Sequence, residues 1–110
     1  MDKLEIQQVI LNYLRDNPKT QMEAVRESVE QVLRENGQIG QRSRQIGRSV
    51  HTETVSINHD MALLINEVIY DLMYQDRIIT PGLNKDNLEL PFLHVSNMEK
   101  LVDFLDSYDE

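Results

Sequence analysis

The hydrophobic pattern of this chain changes period near residue 77, and that change limits the folds that the chain can adopt. Between residues 61 and 73 the apolar side chains recur every three or four positions, which places them on one face of a helix. Residues 78–80 and 90–95 have instead the composition of short strands, and residues 81–87 between them are turn formers. The pattern predicts a core-facing helix that runs directly into a β-hairpin.

The same periodicity predicts three further helices. The first spans residues 4–15 and ends before Pro18, because proline disfavours helical geometry in the residue that precedes it. The second follows Thr20, which is placed to cap it together with a glutamate three residues later, and it stops at Gly37. The last follows Asn97, a good capping residue. The predicted core faces of these helices carry Ile6, Val9, Ile10, Tyr13, Leu14, Met22, Val25, Val29, Val32, Met98, Leu101, Val102 and Leu105.

The middle of the chain has a different composition. Residues 37–49 are polar and contain three of the four glycines, which is typical of a mobile loop or of a segment that only a partner orders. Residues 50–57 are rich in β-branched side chains and are predicted as a short third strand that joins the later hairpin. Asn58 or Asp60 then caps the long helix. The expected fold is one α+β domain over residues 1–110, with three helices, a β-hairpin and a C-terminal helix.

Composition excludes several classes of site. With 110 residues, 40% of them hydrophobic, the chain suits one small domain. The absence of cysteine excludes disulfides and cysteine-ligated zinc. The three histidines have neither HxH nor HxxxH spacing, and the sequence contains no nucleophile elbow and no phosphate-binding glycine loop. These features predict no enzymatic activity, no metal site and no bound cofactor.

The sequence does not suggest a membrane-spanning segment or a signal peptide. The longest apolar runs are a few residues, far below the length that crosses a bilayer. The first residues lack a basic region followed by an apolar stretch, as a signal peptide would have. We therefore expect a cytoplasmic protein with no membrane partner.

Charge is distributed unevenly along the chain. The formal net charge is -8 and the isoelectric point is near 4.8, whereas nucleic-acid-binding domains are usually basic. Residues 37–52 nevertheless contain Arg42, Arg44 and Arg48 and no acidic residue, which leaves -11 on the remainder. Because local fields decide where a polyanion binds, this segment is the predicted point of contact.

The order helix, helix, helix, hairpin resembles that of winged-helix domains over roughly residues 4–95. The most specific part is YDLMYQDRIITPG at residues 70–82, which looks like the end of the family's third helix and its turn into the first wing strand. Residues 84–92 are similar to the wing hairpins of uncharacterised bacterial winged-helix proteins. The resemblance implies a non-catalytic nucleic-acid-binding or transcription-regulating module whose partner is double-stranded DNA.

Particular residues are predicted to carry this function. Guanidinium groups bind phosphate bidentately, and a flexible loop adapts to a duplex. The predicted nucleic-acid-binding residues are Arg42, Arg44 and Arg48, with Asn58, His59 and Lys85 as secondary contacts. The aromatic residues Tyr70, Tyr74 and Phe92 are expected in the core, where the third helix meets the wing.

Three departures from the family pattern favour an alternative function. About twenty residues, instead of a short turn, separate the second and third helices. The third helix offers mainly acidic residues to solvent, and the wing carries Lys85 as its only cation. The alternative is a protein–protein adaptor, or an acidic inhibitor of a basic, DNA-binding partner. A homodimer through the first or the last helix is a further expectation, the latter through a ridge of Leu101, Phe104 and Leu105.

Overall fold

The computed structural model describes residues 1–37, 40–46, 49–55, 59–82 and 90–108, with the backbone alone in the second and third of these ranges. Its elements in chain order are α1 (Lys3–Asp16), β1 (Lys19–Gln21), α2 (Met22–Glu35), β2 (Gly40–Ile46), β3 (Ser49–Val55), α3 (His59–Tyr70), a π-helical turn (Asp71–Gln75), β4 (Ile79–Pro81), β5 (Phe92–Val95) and α4 (Met98–Ser107). Over these described ranges the fold is α+β, with four α-helices and a small antiparallel sheet of three strands, as the sequence predicted at this level.

The three-stranded sheet has the order β1-β5-β4, and both pairings are antiparallel. Its third strand is therefore β1, between the first two helices, and not the segment 50–57 that the sequence indicated. Two backbone hydrogen bonds prolong the pairing of β1 with β5, from Met22 N to the Pro91 carbonyl and from Val95 N to the Pro18 carbonyl, each 2.7 Å long. Within the β-branched segment, residues 50–55 do belong to a strand, β3, but this strand pairs outside the three-stranded sheet.

The partner of β3 is β2, so the prediction of a loop over residues 37–49 is wrong for Gly40–Ile46. The strands β2 and β3 form a separate two-stranded antiparallel ribbon, in register from Gly40 opposite Val55 to Ile46 opposite Ser49. The polar composition of β2 concealed a strand, because backbone pairing with a Thr- and Val-containing neighbour does not require apolar side chains on both strands. Mobility of this segment stays a prediction.

Local capping explains several of the helix ends. The Asp2 carboxylate accepts a hydrogen bond of 2.9 Å from Glu5 N and begins α1. Gly37 follows the end of α2 with φ of +72°, a conformation that glycine adopts without steric cost. At the other end of α2 the predicted capping box is wrong, since Thr20 lies in β1 and its hydroxyl pairs with the Tyr13 hydroxyl at 2.9 Å.

The start of α3 lies at His59. Asp60 is inside its first turn and is not its N-cap, and Asn58 lies outside the described residues. The start of α4 agrees with the prediction, because the Asn97 side chain accepts a hydrogen bond of 3.0 Å from Lys100 N.

One hydrophobic core joins all four helices to the sheet. Among the described residues every buried side chain is apolar, so the core contains no buried charge to satisfy. Its members are Ile6, Ile10, Leu11, Leu14, Val25, Val29, Leu33, Ile65, Val68, Ile69, Leu72, Met73, Ile78, Ile79, Leu93, Leu101 and Leu105. The sequence predicted most of the helical members from their spacing, and this core positions the outward faces that a partner can reach.

The hairpin is anchored in the core by one residue of each strand. Ile79 and Leu93 are 1% and 0% exposed, whereas the ring of Phe92 is only partly buried. Because successive strand residues point to opposite faces of a sheet, Leu93 takes the core position and Phe92 takes the other face. The expectation of a core Phe92 is therefore wrong.

The end of the third helix is closed by an unusual turn. Ile78 N donates to the Leu72 carbonyl at 2.8 Å across six residues, one more than in a Schellman motif, because the last turn is π-helical. Arg77 inside this closure has φ of +54°, in the left-handed region that side chains disfavour. The Lys100 ammonium donates to the Asp76 carbonyl at 2.7 Å and satisfies a carbonyl that the helix leaves unpaired.

We expect Arg77→Gly to stabilise the protein by about 0.5–1 kcal/mol, because glycine adopts a positive φ without the steric cost of a Cβ atom. Arg77→Ala is the matched control, since it removes the same side chain but keeps the Cβ atom, and it should leave the free energy of unfolding nearly unchanged. Denaturant melts measure both. Equal effects of the two substitutions would contradict the backbone explanation.

We expect Leu93→Ala to cost about 2–5 kcal/mol, because it empties a fully buried position where hairpin and core meet. Phe92→Ala should cost clearly less, although phenylalanine is the larger residue, since its ring is partly solvated already. Urea melts of the two variants provide the comparison. A loss for Phe92→Ala as large as that for Leu93→Ala would show that the ring belongs to the core.

Candidate functional site

Two of the three arginines predicted to contact phosphate in the middle segment lie on the ribbon. Arg42 and Arg44 are two residues apart in β2, and their register partners in β3 are Glu53 and His51. Alternate residues of a strand belong to the same face, and residues directly opposite one another share that face. The backbone therefore assigns both arginines to one face of the ribbon, about 7 Å apart along the strand.

The other predicted contacts are only partly located. His59 is the first residue of α3 and is exposed. Arg48, Asn58 and Lys85 lie outside the described residues, so their part in a site stays a prediction. A further histidine, His94, has a structural role, because its Nδ1 atom lies 2.7 Å from the Gly82 carbonyl oxygen and links β5 to the end of β4.

The ribbon is separate from the core. Among the described elements, the extensive contacts of β2 and β3 are with each other. The radius of gyration is 16.7 Å, compared with about 13 Å for a compact domain of this length. The chain is thus less compact than a typical domain of its length, and the two strands of the ribbon contact mainly each other.

The outward face of α3 carries large apolar side chains that the sequence interpretation misplaced. Tyr70 and Tyr74 are 61% and 56% exposed, so the expectation that they belong to the core is wrong. Their ring centroids are 4.8 Å apart with an interplanar angle of 51°. Leu63, seven residues before Tyr70 on the same helical face, is 52% exposed. The stripe was detectable, because positions 63, 67, 70 and 74 repeat every three or four residues opposite the buried stripe.

This part of the chain is acidic. Residues 59–76 contain Asp60, Glu67, Asp71 and Asp76 and neither lysine nor arginine. Lys3 of α1 approaches them, with its Nζ atom 3.0 Å from a carboxylate oxygen of Glu67 and 3.0 Å from one of Asp71. Hydrogen bonds to Asp71 first and then to Glu67 raise the pKa of Lys3. A face with this charge repels a phosphate backbone.

A shallow cleft of about 220 Å³ lies between α2 and α3, lined by Arg26, Glu30, Ala62, Ile65 and Asn66. Its volume is below the roughly 300–1,000 Å³ of typical small-molecule sites. Arg26 is engaged within the fold, because its Nε atom donates to the Asn66 side-chain oxygen at 3.1 Å. The cleft is therefore smaller than a typical small-molecule site.

Carboxylates near this cleft perturb each other. Burial, followed by the neighbouring Glu27 carboxylate, raises the pKa of Glu30. A hydrogen bond from Arg34, at 2.6 Å, lowers the pKa of Glu27. The pKa values of these two carboxyl groups are therefore shifted in opposite directions.

The last helix does not offer the predicted dimer ridge. Leu101 and Leu105 are 0% and 8% exposed, and Phe104 is partly buried against the same core. These side chains pack within the chain, so the expectation that they form an exposed ridge is wrong, and a homodimer stays a prediction. What α4 exposes instead is Met98 and Val102, each at 37%.

Within the part of the chain that the structure describes, no group of three or more histidine, aspartate or glutamate side chains is arranged to hold a metal ion. No described helix is both long enough and apolar enough to span a bilayer. Comparisons of the chain with protein-family models, with curated proteins and with solved structures find no match.

Glu30→Gln should raise the stability of the protein at neutral pH. The pKa of Glu30 is raised in the folded state, so the folded protein binds this proton more tightly than the unfolded chain does. The resulting contribution to the free energy of unfolding is fully present below the unfolded pKa and is lost as pH rises through the folded pKa. The neutral amide removes that loss, so the gain in melting temperature should appear near pH 7 and vanish at low pH. Glu27→Gln is the control and should produce no gain, since Glu27 pairs with Arg34. A pH-independent effect of Glu30→Gln would contradict the argument.

Proposed function

We propose that this chain is a non-catalytic, winged-helix-like module that binds double-stranded DNA through the ribbon of β2 and β3. The winged-helix element of the proposal draws support from the order of three helices and a hairpin. It also draws support from the pairing of β1 with β5, which ties the hairpin to the strand between the first two helices.

One observation carries the DNA-binding part: Arg42 and Arg44 share a face of a two-stranded antiparallel ribbon. The major groove of DNA, about 12 Å wide, admits a two-stranded β-ribbon as readily as a helix. Arginine suits this groove because its guanidinium group pairs bidentately with a phosphate or with a guanine base. The ribbon replaces the predicted mobile loop as the binding element.

The third helix is a poor candidate for the same task. Its outward face combines Leu63, Tyr70 and Tyr74 with acidic residues, and residues 59–76 contain no lysine or arginine. A recognition helix would bring this charge close to the phosphates. The proposed DNA contact therefore belongs to the ribbon and not to α3.

The charge balance predicts how the complex behaves. Residues 40–55 carry three arginines and one glutamate, a formal +2, and the remaining residues carry -10. Attraction is thus local, whereas the rest of the chain opposes it. Affinity for nonspecific duplex should be weak and should fall quickly as salt is added.

The test is the triple substitution Arg42→Ala, Arg44→Ala, Arg48→Ala. If all three arginines neutralise phosphates, the wild-type slope of log affinity against log salt should be about -2.7, and the triple variant should lose duplex binding. Fluorescence titrations with a labelled duplex at several low salt concentrations measure both quantities.

A matched control changes the net charge by the same amount elsewhere. Arg15, Lys19 and Arg77 are exposed cations outside the ribbon, and their combined replacement by alanine should leave the salt slope unchanged. Equal losses in the two triple variants would mean that total charge decides binding and would refute the ribbon interface. The absence of wild-type binding to any duplex at low salt would refute DNA binding itself.

A further inference from the structure

We infer that the outward face of α3 and the π turn docks a basic segment of a partner protein. We call this surface the tyrosine face, and we define it as Leu63, Glu67, Tyr70 and Tyr74. It lies on a different element from the arginine-bearing ribbon, so the inference does not depend on DNA binding.

The tyrosine face has the composition of a protein interface. Its three large apolar side chains are each more than half exposed, although they follow one another along a single helical face. Contiguous exposed apolar surface rimmed by polar groups marks sites where proteins associate. Tyrosine is enriched at such sites, because its ring contributes apolar area and its hydroxyl remains able to hydrogen-bond.

The length of the surface suits a short segment. Leu63 and Tyr74 are eleven residues apart, which corresponds to about 16 Å along a helix. Two or three turns of a partner helix, or a few residues of extended chain, would cover it. The segment would place an apolar side chain near Leu63 and the paired rings of Tyr70 and Tyr74.

Charge specifies the partner more closely. Asp60, Glu67 and Asp71 repeat at helical spacing with Leu63, Tyr70 and Tyr74, and residues 59–76 contain no lysine or arginine. A cationic side chain is attracted both to these carboxylates and to the faces of the tyrosine rings. An acidic partner or a polyanion would meet repulsion instead.

The ion pairs of Lys3 show that the carboxylates at the tyrosine face bind an ammonium group. The Lys3 ammonium, contributed by another helix, lies 3.0 Å from oxygens of both Glu67 and Asp71. The contact is with exposed carboxylates and so forms and breaks at little cost in free energy. A lysine or arginine of the partner can approach the same carboxylate row from solvent, beside Lys3 or in its place.

An unbiased peptide selection tests the chemistry. A random peptide library displayed on phage is selected on the full chain, and peptides that bind the variant Tyr70→Ser, Tyr74→Ser are removed. The surviving sequences should be enriched in arginine or lysine together with an apolar residue, and their binding should weaken with salt. Survivors enriched in aspartate or glutamate, or no survivors that require the tyrosines, would overturn the inference.

Matched variants locate the site. Tyr70→Ser, Tyr74→Ser should weaken a selected synthetic peptide about tenfold or more, as expected for aromatic residues at the centre of an interface. Tyr70→Phe, Tyr74→Phe keeps both rings and should bind nearly as wild type. Met98→Ser, Val102→Ser removes exposed apolar groups from α4, another acidic helix, and should have no effect. Equal losses in the α3 and α4 serine variants would reject the tyrosine face as the site.

Two further readouts separate competing explanations. Thermal melts of the serine variant should match wild type, since both tyrosines are exposed, and a large destabilisation would assign the rings a structural role instead. Light scattering of the free protein tests whether a second copy of this chain occupies the tyrosine face. A dimer that the wild type forms and the serine variant does not would overturn the partner-protein inference. Duplex binding by the serine variant should equal that of wild type, so failure of this inference is distinguishable from failure of the DNA proposal.

Discussion

The backbone of Ile78 is the point on which the arrangement of this domain depends. Its N–H donates to the Leu72 carbonyl and closes the π turn, while its own carbonyl accepts hydrogen bonds from Ser96 and Asn97 at 2.9 and 3.2 Å. Its side chain is fully buried. One residue thus joins the end of the third helix, the start of the hairpin and the beginning of the last helix. A buried peptide group with all its partners supplied tolerates little displacement, because any lost hydrogen bond would leave a polar atom unsatisfied.

This junction also determines which surfaces face outward. With Leu72 held against the core, Tyr70 and Tyr74 are directed to solvent on the opposite side of the helix. The ribbon lies between α2 and α3 in the chain. Its two strands pair with each other, and among the described elements their extensive contacts are within the ribbon. The two proposed binding surfaces therefore belong to independent elements with opposite charge. In these two proposals, a polyanion and a basic protein would bind different faces of the chain.

The sequence was a good guide to some features of the site and a poor guide to others. The arginine-bearing segment was recognised from charge alone, since a run without acidic residues is visible in one dimension. That Arg42 and Arg44 share a face required the register of β2 with β3, which depends on which residues meet across the ribbon. Tyr70 and Tyr74 were assigned to the core by residue type, although their spacing placed them opposite the buried stripe. The choice between the two faces was made by packing, and a tyrosine is compatible with either.

By itself, the sequence determined the number and approximate limits of the helices, the Asn97 cap, the stop at Gly37 and the change from helix to hairpin. These features depend on neighbours within one or two helical turns, so local periodicity and capping chemistry suffice. Only the tertiary structure decided that β1 completes the sheet, that β3 pairs with β2, and that the ridge of α4 is buried. Strand pairing joins Lys19 to His94, residues far apart in sequence, and its free energy depends on contacts that exist only once the chain has folded.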